Sequence, residues 1–172
     1  MRRLRYNVAM SLDGFIAGPN GEFDWIVRDP AIDFGLIHAQ FDTLLMGRKT
    51  FEVARSLNLE THPGERWIVV SHTLKPDEYP GITILNGEVA EAVASMKAQS
   101  GKDIWLMGGG ILFRSLLDAD LVDTVEVFLM PVVLGNGVPL LPEGRRRTLH
   151  LEESKALPSG ILVLRYLVVP ES

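Results

Sequence analysis

The chain has 172 residues, a net charge of −5 at pH 7 and a hydrophobic fraction of 47%, which is typical of a folded domain. It contains no cysteine, so disulfide frameworks, thiolate metal sites and cysteine nucleophiles are excluded. The negative charge argues against nucleic-acid binding, and no apolar run approaches the ~18 residues of a membrane helix. We therefore expect a single cytoplasmic domain spanning residues 1–172, with no nucleic-acid or membrane partner.

Five short apolar runs rich in β-branched residues predict strands that are buried on both faces of a sheet. These runs are Tyr6–Met10, Thr43–Met46, Trp67–Val70, Ile82–Leu85 and Ile104–Met107. The intervening segments carry apolar residues at helical spacing. They predict helices at Ala31–Phe41, Val89–Met96 and Ile111–Leu117. This alternation is typical of a largely parallel sheet with crossover connections.

In the last third of the chain, the predicted strands follow one another without intervening helices. We predict strands at Val122–Met130, Thr148–Glu153 and Ile161–Val169. Returning strands of this kind usually pair antiparallel at the edge of a sheet. The predicted fold class is therefore α/β, a single-domain, mixed but mostly parallel β-sheet flanked by helices.

Three consecutive glycines, Gly108 to Gly110, stand between a predicted buried strand and a predicted helix. A helix N-terminus offers unpaired N–H groups, and glycine lets a phosphate approach the backbone closely. The motif therefore favours a phosphate or dinucleotide site, with a tight turn that needs positive φ as the alternative. It is not the G-x-G-x-x-G fingerprint, because Phe113 stands where the third glycine would fall.

Two further strand ends carry groups that suit phosphate oxygens. They are the segments Gly47-Arg48-Lys49-Thr50 and Ser71-His72-Thr73. Ligands of open α/β sheets bind beyond the carboxyl ends of the strands, so the three ends together predict one nucleotide site. For Thr50 the alternative is a helix cap beside solvated cations.

Two aspartates, Asp29 and Asp33, flank Pro30 where a helix is predicted to begin. Asp33 either compensates the helix dipole or presents a carboxylate to a pocket, and the spacing leaves both open. His38 and Asp42 are interpreted as a surface pair at i, i+4 rather than as metal ligands. No metal site is expected.

Taken in order, these segments resemble the dihydrofolate reductase-like superfamily. They are closest to the branch related to the C-terminal reductase domain of the bifunctional riboflavin-biosynthesis deaminase–reductase. The resemblance covers nearly the whole chain and rests on Ser11–Gly18, Met46–Glu52, the strand end at Ser71 and Met107–Gly110. The segment Leu129–Leu140 resembles the riboflavin branch more than the folate reductases.

The resemblance implies NADPH as cofactor and hydride transfer to a small pterin-, pyrimidine- or flavin-precursor-like heterocycle. It also implies a gating loop at Gly14–Gly21 and, as is common in the family, a cis bond between the first two glycines of the triplet. By the same resemblance, the residues that bind the cofactor are Ala9, Ile16, Gly18, Gly47, Arg48, Lys49, Thr50, Ser71, His72, Thr73, Met107, Gly108, Gly109, Gly110, Ile111 and Leu112.

The resemblance further implies one acidic residue near the first helix as proton donor, either Asp33 or Asp29. The residues expected to contact the substrate are Trp25, Phe34, Ile37 and Phe113. Glu65 stands where folate reductases place an arginine for the substrate's carboxylate, so folate itself is not expected. The alternative function is a regulatory module that retains NADPH without turnover. The long late strands lead us to expect a homodimer.

Overall fold

The computed structural model describes residues 1–170. The strands are β1 Leu4–Ser11, β2 Phe15–Ala17, β3 Phe41–Gly47, β4 Arg66–Val70, β5 Ile82–Leu85, β6 Asp103–Gly108, β7 Thr124–Met130, β8 Val138–Pro139, β9 Leu149–Ala156 and β10 Leu162–Val168. The helices are α1 Phe34–His38, α2 Arg48–Ser56, α3 Val89–Ala98 and α4 Gly110–Asp118, with a short 3-10 helix at Pro76–Glu78. Within residues 1–170, no helix has the length and apolar character needed to cross a bilayer.

Eight of these strands form one sheet in the order β5-β4-β3-β6-β1-β7-β10-β9. The first six strands in this order, from β5 to β7, run parallel to one another. Strand β10 pairs antiparallel with both β7 and β9. The remaining strands, β2 and β8, form a separate antiparallel pair. The prediction of a mostly parallel sheet flanked by helices, with antiparallel strands at one edge, is confirmed.

The central strands are buried on both faces because successive side chains point to opposite sides of the sheet. Leu44 and Met46 of β3 pack in a cluster with Phe51 of α2. Leu45, between them, packs in a second cluster with Phe113 of α4. The two faces are thus covered by different helices. This explains why the strands read as continuous apolar runs.

The first helix is shorter than its apolar spacing predicts. Only Phe34–His38 is helical, and Phe41, predicted to end the helix, begins β3 instead. The Phe41 ring is buried beside Trp105, with the guanidinium of Arg5 4.7 Å from its centre. An apolar residue seven positions after Phe34 fits either a helix face or a new strand, so spacing alone did not separate the two.

The side chain of Phe113 lies in the core and not in a cleft. It is 1% exposed, and its ring stacks on that of Tyr6 with 3.8 Å between the centroids. The expectation that Phe113 contacts the substrate is therefore wrong. Its position on α4 points it toward the sheet, whereas Ile111, two residues earlier, is 81% exposed.

The Phe113→Ala substitution should lower the free energy of unfolding by about 3–5 kcal/mol, because it opens a cavity under α4. Ile111→Ala on the same helix should change it by less than about 0.5 kcal/mol. Urea unfolding followed by circular dichroism measures both. Equal effects of the two substitutions would contradict the assignment of Phe113 to the core.

Candidate active site

The three strand ends that are predicted to bind phosphate lie side by side, at the carboxyl ends of the parallel strands. In the parallel pairing, Gly47 at the end of β3 lies opposite Val70 at the end of β4. On the other side of β3, Met46 lies opposite Gly108 at the end of β6. The carboxyl ends of three neighbouring strands are therefore adjacent, as the sequence predicts.

A crevice opens at this edge between β3 and β6. The helix that follows β3 packs on one face of the sheet and the helix that follows β6 packs on the other, which is the arrangement that places ligand sites in open α/β sheets. The resulting cleft has a volume of about 670 Å³. It is lined by Gly47, Arg48, Lys49, Thr50, Val70, His72, Val89, Gly109, Gly110, Ile111, Leu112, Ser115, Val138, Pro139 and Pro142.

Two helix N-termini in this cleft have no side-chain cap. Gly47 precedes α2 and Gly109 precedes α4, and neither helix start receives a side-chain hydrogen bond at its cap. The interpretation of Thr50 as the cap of α2 is wrong, because it lies inside the first turn. Since the first N–H groups of a helix have no partner within the helix, both starts can accept an anionic ligand.

The glycines of the triplet differ in what surrounds them. A Cβ added at Gly109, like one added at Gly47, would meet no heavy atom within 4 Å. A Cβ at Gly110 would lie 2.8 Å from the carbonyl oxygen of Leu140. The backbone is therefore open to a ligand at Gly47 and Gly109, whereas Gly110 permits close packing. The Gly108–Gly109 peptide is cis, as the family resemblance implies.

Cationic and hydrogen-bonding side chains stand on the wall of the cleft. Arg48 Nη1 donates to Glu52 Oε1 at 2.8 Å, one turn along α2, and both side chains are about half exposed. His72 is exposed, with its Nδ1 2.6 Å from Oδ1 of Asn86. Both groups can therefore reach a bound anion from the solvent side.

Ser71 has a structural role in the turn after β4, and its predicted contact with cofactor phosphate stays a prediction. It is buried, and its hydroxyl oxygen accepts hydrogen bonds from the N–H groups of Thr73 and Leu74, both at 3.1 Å. This hydroxyl holds the turn after β4. Thr73 is exposed in the same turn, outside the cleft lining, so its contact with the cofactor stays a prediction.

The lip of the cleft comes from the segment around β8, which sequence reasoning did not assign to the site. Val138, Pro139 and Pro142 line the cleft, and β8 pairs with β2 of the predicted gating loop. The signal that could have identified this lip is the resemblance of Leu129–Leu140 to the riboflavin branch. That resemblance marks the segment as typical of the branch but does not say that it lines a cleft.

The gating segment is connected to this lip through Asp13. Its carboxylate accepts hydrogen bonds from the hydroxyl of Ser11 at 2.7 Å and from the N–H groups of Leu134 and Gly135 at 3.1 and 2.7 Å. The Ser11 hydroxyl and these N–H groups hold the pKa of Asp13 below its ordinary value. Asp13 thus remains ionised at neutral pH and joins two segments that are about 120 residues apart in sequence.

Other predicted site residues lie outside the lining of this cleft. Ala9 and Trp25 pack against a cluster formed around Met130 and Ile161. Ile16 is half-buried in β2, and Gly18 is buried in a turn where its N–H donates to the carbonyl of Glu22 at 2.8 Å. Met107 and Ile37 pack on the cluster beneath α2. The structure brings none of them to the cleft wall, so their contacts with cofactor or substrate stay predictions.

The two candidate proton donors both accept hydrogen bonds from backbone N–H groups. Asp33 caps α1 and accepts from the N–H of Leu36 at 3.0 Å. Asp29 is 8% exposed and accepts from the N–H groups of Ala31 and Ser159 at 2.8 and 3.2 Å. The neighbouring Ser159 hydroxyl and these N–H groups hold the pKa of Asp29 below its ordinary value. A general acid needs a pKa near the operating pH, so these surroundings disfavour Asp29 as the proton donor.

The pairing expected for His38 and Asp42 is also wrong. His38 Nδ1 lies 2.7 Å from Glu65 Oε1, and Asp42 pairs with the buried guanidinium of Arg2. Phe34, predicted to contact the substrate, is exposed on the wall of a second cavity together with His38. Because α1 ends at His38 and Phe41 begins a strand, positions 38 and 42 do not share a helix face.

Comparison with known proteins identifies the family. The RibD C-terminal domain family matches residues 2–163. The chain belongs to this family. It is 35% identical over 179 residues to the uncharacterized protein YyaP of Bacillus subtilis, across 96% of this chain and 94% of that protein.

Two solved structures share the fold of this RibD C-terminal domain. A pyrimidine reductase-like protein from Corynebacterium diphtheriae has a TM-score of 0.74 at 16% identity, covering 99% of this chain and 93% of that chain. The dihydrofolate reductase of Enterococcus faecalis, complexed with NADP(H), has a TM-score of 0.69 at 19% identity, with 96% of both chains covered. Together the family and the fold support an oxidoreductase.

The carboxylate of Asp29 should stabilise this RibD-type fold only while it is ionised. Because its folded pKa lies below the unfolded value of about 3.9, the stabilisation is present above that pH and is lost as the pH falls through the folded pKa. Asp29→Asn should therefore melt at a lower temperature than the wild type at pH 7, with the difference shrinking toward pH 2. The exposed Asp24→Asn is the control. A difference that does not change with pH would refute this account.

Proposed function

We propose that the chain is an NADPH-dependent reductase that transfers a hydride to a small pterin-, pyrimidine- or flavin-precursor-like heterocycle. The observation that carries the proposal is the convergence of two uncapped helix N-termini, at Gly47 and Gly109, on one cleft of about 670 Å³. The dihydrofolate reductase of similar fold, which is complexed with NADP(H), supports the choice of cofactor.

The residues of the cleft fit a dinucleotide cofactor. Phosphate oxygens need N–H donors and cations, and the cleft offers both from the starts of α2 and α4 and from Arg48, Lys49 and His72. The open space above Gly47 and Gly109 leaves room for a ligand to lie directly on the backbone. The apolar side chains of Val89, Ile111 and Leu112 also line the cleft and suit a flat ring.

When bound, NADPH supplies a hydride to a C=N or C=O bond of the substrate, and the heteroatom that becomes negative takes up a proton. Asp33 is the residue that we assign to this proton. It is exposed at the start of α1, whereas Asp29 is held as a carboxylate by its donors. Asp33 lies outside the lining of the cofactor cleft and precedes Phe34 on the wall of the second cavity, so this assignment rests on the family resemblance and on its exposed carboxylate.

The substrate is expected to differ from folate. Glu65 stands in the segment where folate reductases place an arginine, and its side chain is 5% exposed and bonded to His38. A glutamate supplies no positive charge for a carboxylate tail, in contrast to the arginine of folate reductases.

The second candidate function is a regulatory module that binds NADPH without turnover. It is favoured by the surroundings of the two predicted acids, since both accept hydrogen bonds from backbone N–H groups and have a structural role.

The homodimer also stays a prediction. The edge strand β9 is exposed along its length, which leaves its outer backbone groups available to a second copy.

Substitution of Gly47 tests the cofactor site. Gly47→Asp and Gly47→Asn both cap α2, but only aspartate adds a negative charge where phosphate is expected to bind. NADPH affinity should fall about tenfold or more in Gly47→Asp, with a smaller loss in Gly47→Asn and no loss of thermal stability in either.

The affinity is measured by quenching of the fluorescence of Trp25, Trp67 and Trp105 during titration with NADPH and, for comparison, with NADH. The wild type should bind NADPH more tightly than NADH. Absence of NADPH binding to the wild type, or equal affinity in all three proteins, would remove the cofactor assignment.

The Asp33→Asn substitution tests the chemical step, because asparagine caps a helix as well as aspartate does but cannot deliver the proton. With a substrate found by screening pterins and pyrimidines, NADPH oxidation should slow by about 100-fold or more. Asp29→Asn should leave the rate near that of the wild type. If neither substitution slows the reaction, another group supplies the proton.

A further inference from the structure

A second cavity lies at the opposite end of the sheet from the cofactor cleft. It has a volume of about 560 Å³. Its wall includes Phe41 and Asp42 at the amino end of β3 and Lys102 just before β6. Since the cofactor cleft lies at the carboxyl ends of the same strands, this cavity is separate from the cofactor site.

Three potential metal ligands converge on this cavity from two parts of the chain. His38 is the last residue of α1, whereas His62 and Glu65 belong to the turn that precedes β4. Each side chain can offer one ligand atom, and these atoms lie within 4.8 Å of one another. The two imidazole rings stand edge to face with 4.6 Å between their centroids.

The turn fixes His62 and Glu65 relative to each other. The N–H of Glu65 donates to the carbonyl of His62 at 2.9 Å, and the N–H of His62 donates to Glu65 Oε2 at 3.1 Å. Between them, Pro63 and Gly64, with φ of +86° at the glycine, match the central residues of a type II turn. The carboxylate is therefore held in place before any ion binds.

We infer that His38, His62 and Glu65 form a site for a divalent transition-metal ion of the zinc type. Two imidazoles and one carboxylate are a ligand set that leaves the fourth tetrahedral position open. Ligand atoms about 2.0–2.2 Å from zinc lie roughly 3.3 Å apart, so small side-chain rotations bring the three groups into range. The fourth position is then free for an oxygen or nitrogen atom of a small molecule in the cavity that these three residues line.

One carboxylate of the cavity is available to a cation. Asp42 is paired with Arg2 behind the wall, whereas Glu65 lines the cavity beside the two histidines. A hydrogen bond between His38 Nδ1 and Glu65 Oε1, 2.7 Å apart, accounts for two of the three residues. It does not account for the ring of His62, which stands exposed at the mouth of the same cavity.

The test uses full-length protein without a polyhistidine tag, treated with a chelator and dialysed, and titrated with Zn²⁺ by calorimetry. Co²⁺ is the spectroscopic probe, because its visible absorption is far more intense in a tetrahedral site than in an octahedral one. We expect one ion per chain, tetrahedral-type Co²⁺ absorption and a rise in Tm with Zn²⁺.

His62→Ala should lower the Zn²⁺ affinity by at least about tenfold and abolish the rise in Tm. His150→Ala, which removes an exposed histidine on β9, is the matched control and should bind as the wild type does. Glu65→Gln keeps the shape of the side chain and should also weaken binding. Because His62 is exposed, its loss is not expected to unfold the chain.

Absence of Zn²⁺ binding in the wild type, or equal binding in His62→Ala and the wild type, would overturn the inference. Neither readout needs cofactor or turnover, so the result is independent of the proposed reductase activity. NADPH titration of His62→Ala provides the cross-check, since the cofactor cleft lies at the other end of the sheet and its affinity should not change.

Discussion

The structure depends on the burial of two adjacent strands, β3 and β6, on both faces. A strand whose side chains are apolar on both faces of the sheet needs a helix to cover each face. The helix that directly follows β3 and the helix that directly follows β6 cover opposite faces. Because the chain departs to opposite sides from neighbouring strand ends, no helix within residues 1–170 closes the gap between them. The cleft at the ends of these strands is therefore a consequence of how the core is covered, and its polar character comes from the helix starts.

The lip of this cleft is built by segments that are far apart in sequence. The ionised carboxylate of Asp13 holds the backbone of Leu134 and Gly135, and β2 pairs with β8 beside it. At the far side of the lip, Gly110 allows the carbonyl of Leu140 to approach the start of α4. The shape of the cleft thus depends on a glycine and an aspartate that need not touch a ligand.

The sequence was sufficient for the strands and for the edge where the site lies, because buried parallel strands and uncapped glycine-rich helix starts leave local signals. It was insufficient where the outcome depends on which way a helix faces. Phe113 and Ile111 are two residues apart, yet one is in the core and the other in solvent. The contact between His38 and Glu65, 27 residues apart, leaves no local signal at all. Ser71 shows a third limit of prediction from sequence. A hydroxyl that could bind phosphate can equally accept hydrogen bonds from the N–H groups of its own turn.

The position of β1 in the centre of the sheet has a consequence for biosynthesis. Leu4 pairs with Ile104, and Arg5 pairs with Thr124, so neither neighbour of β1 exists until about a hundred further residues have been made. At roughly 5–20 residues per second, the first strand waits about 5–20 s on the ribosome with its apolar side chains exposed. Contacts this distant in sequence also slow folding. The nascent chain is therefore expected to depend on chaperones before the central strands can pair.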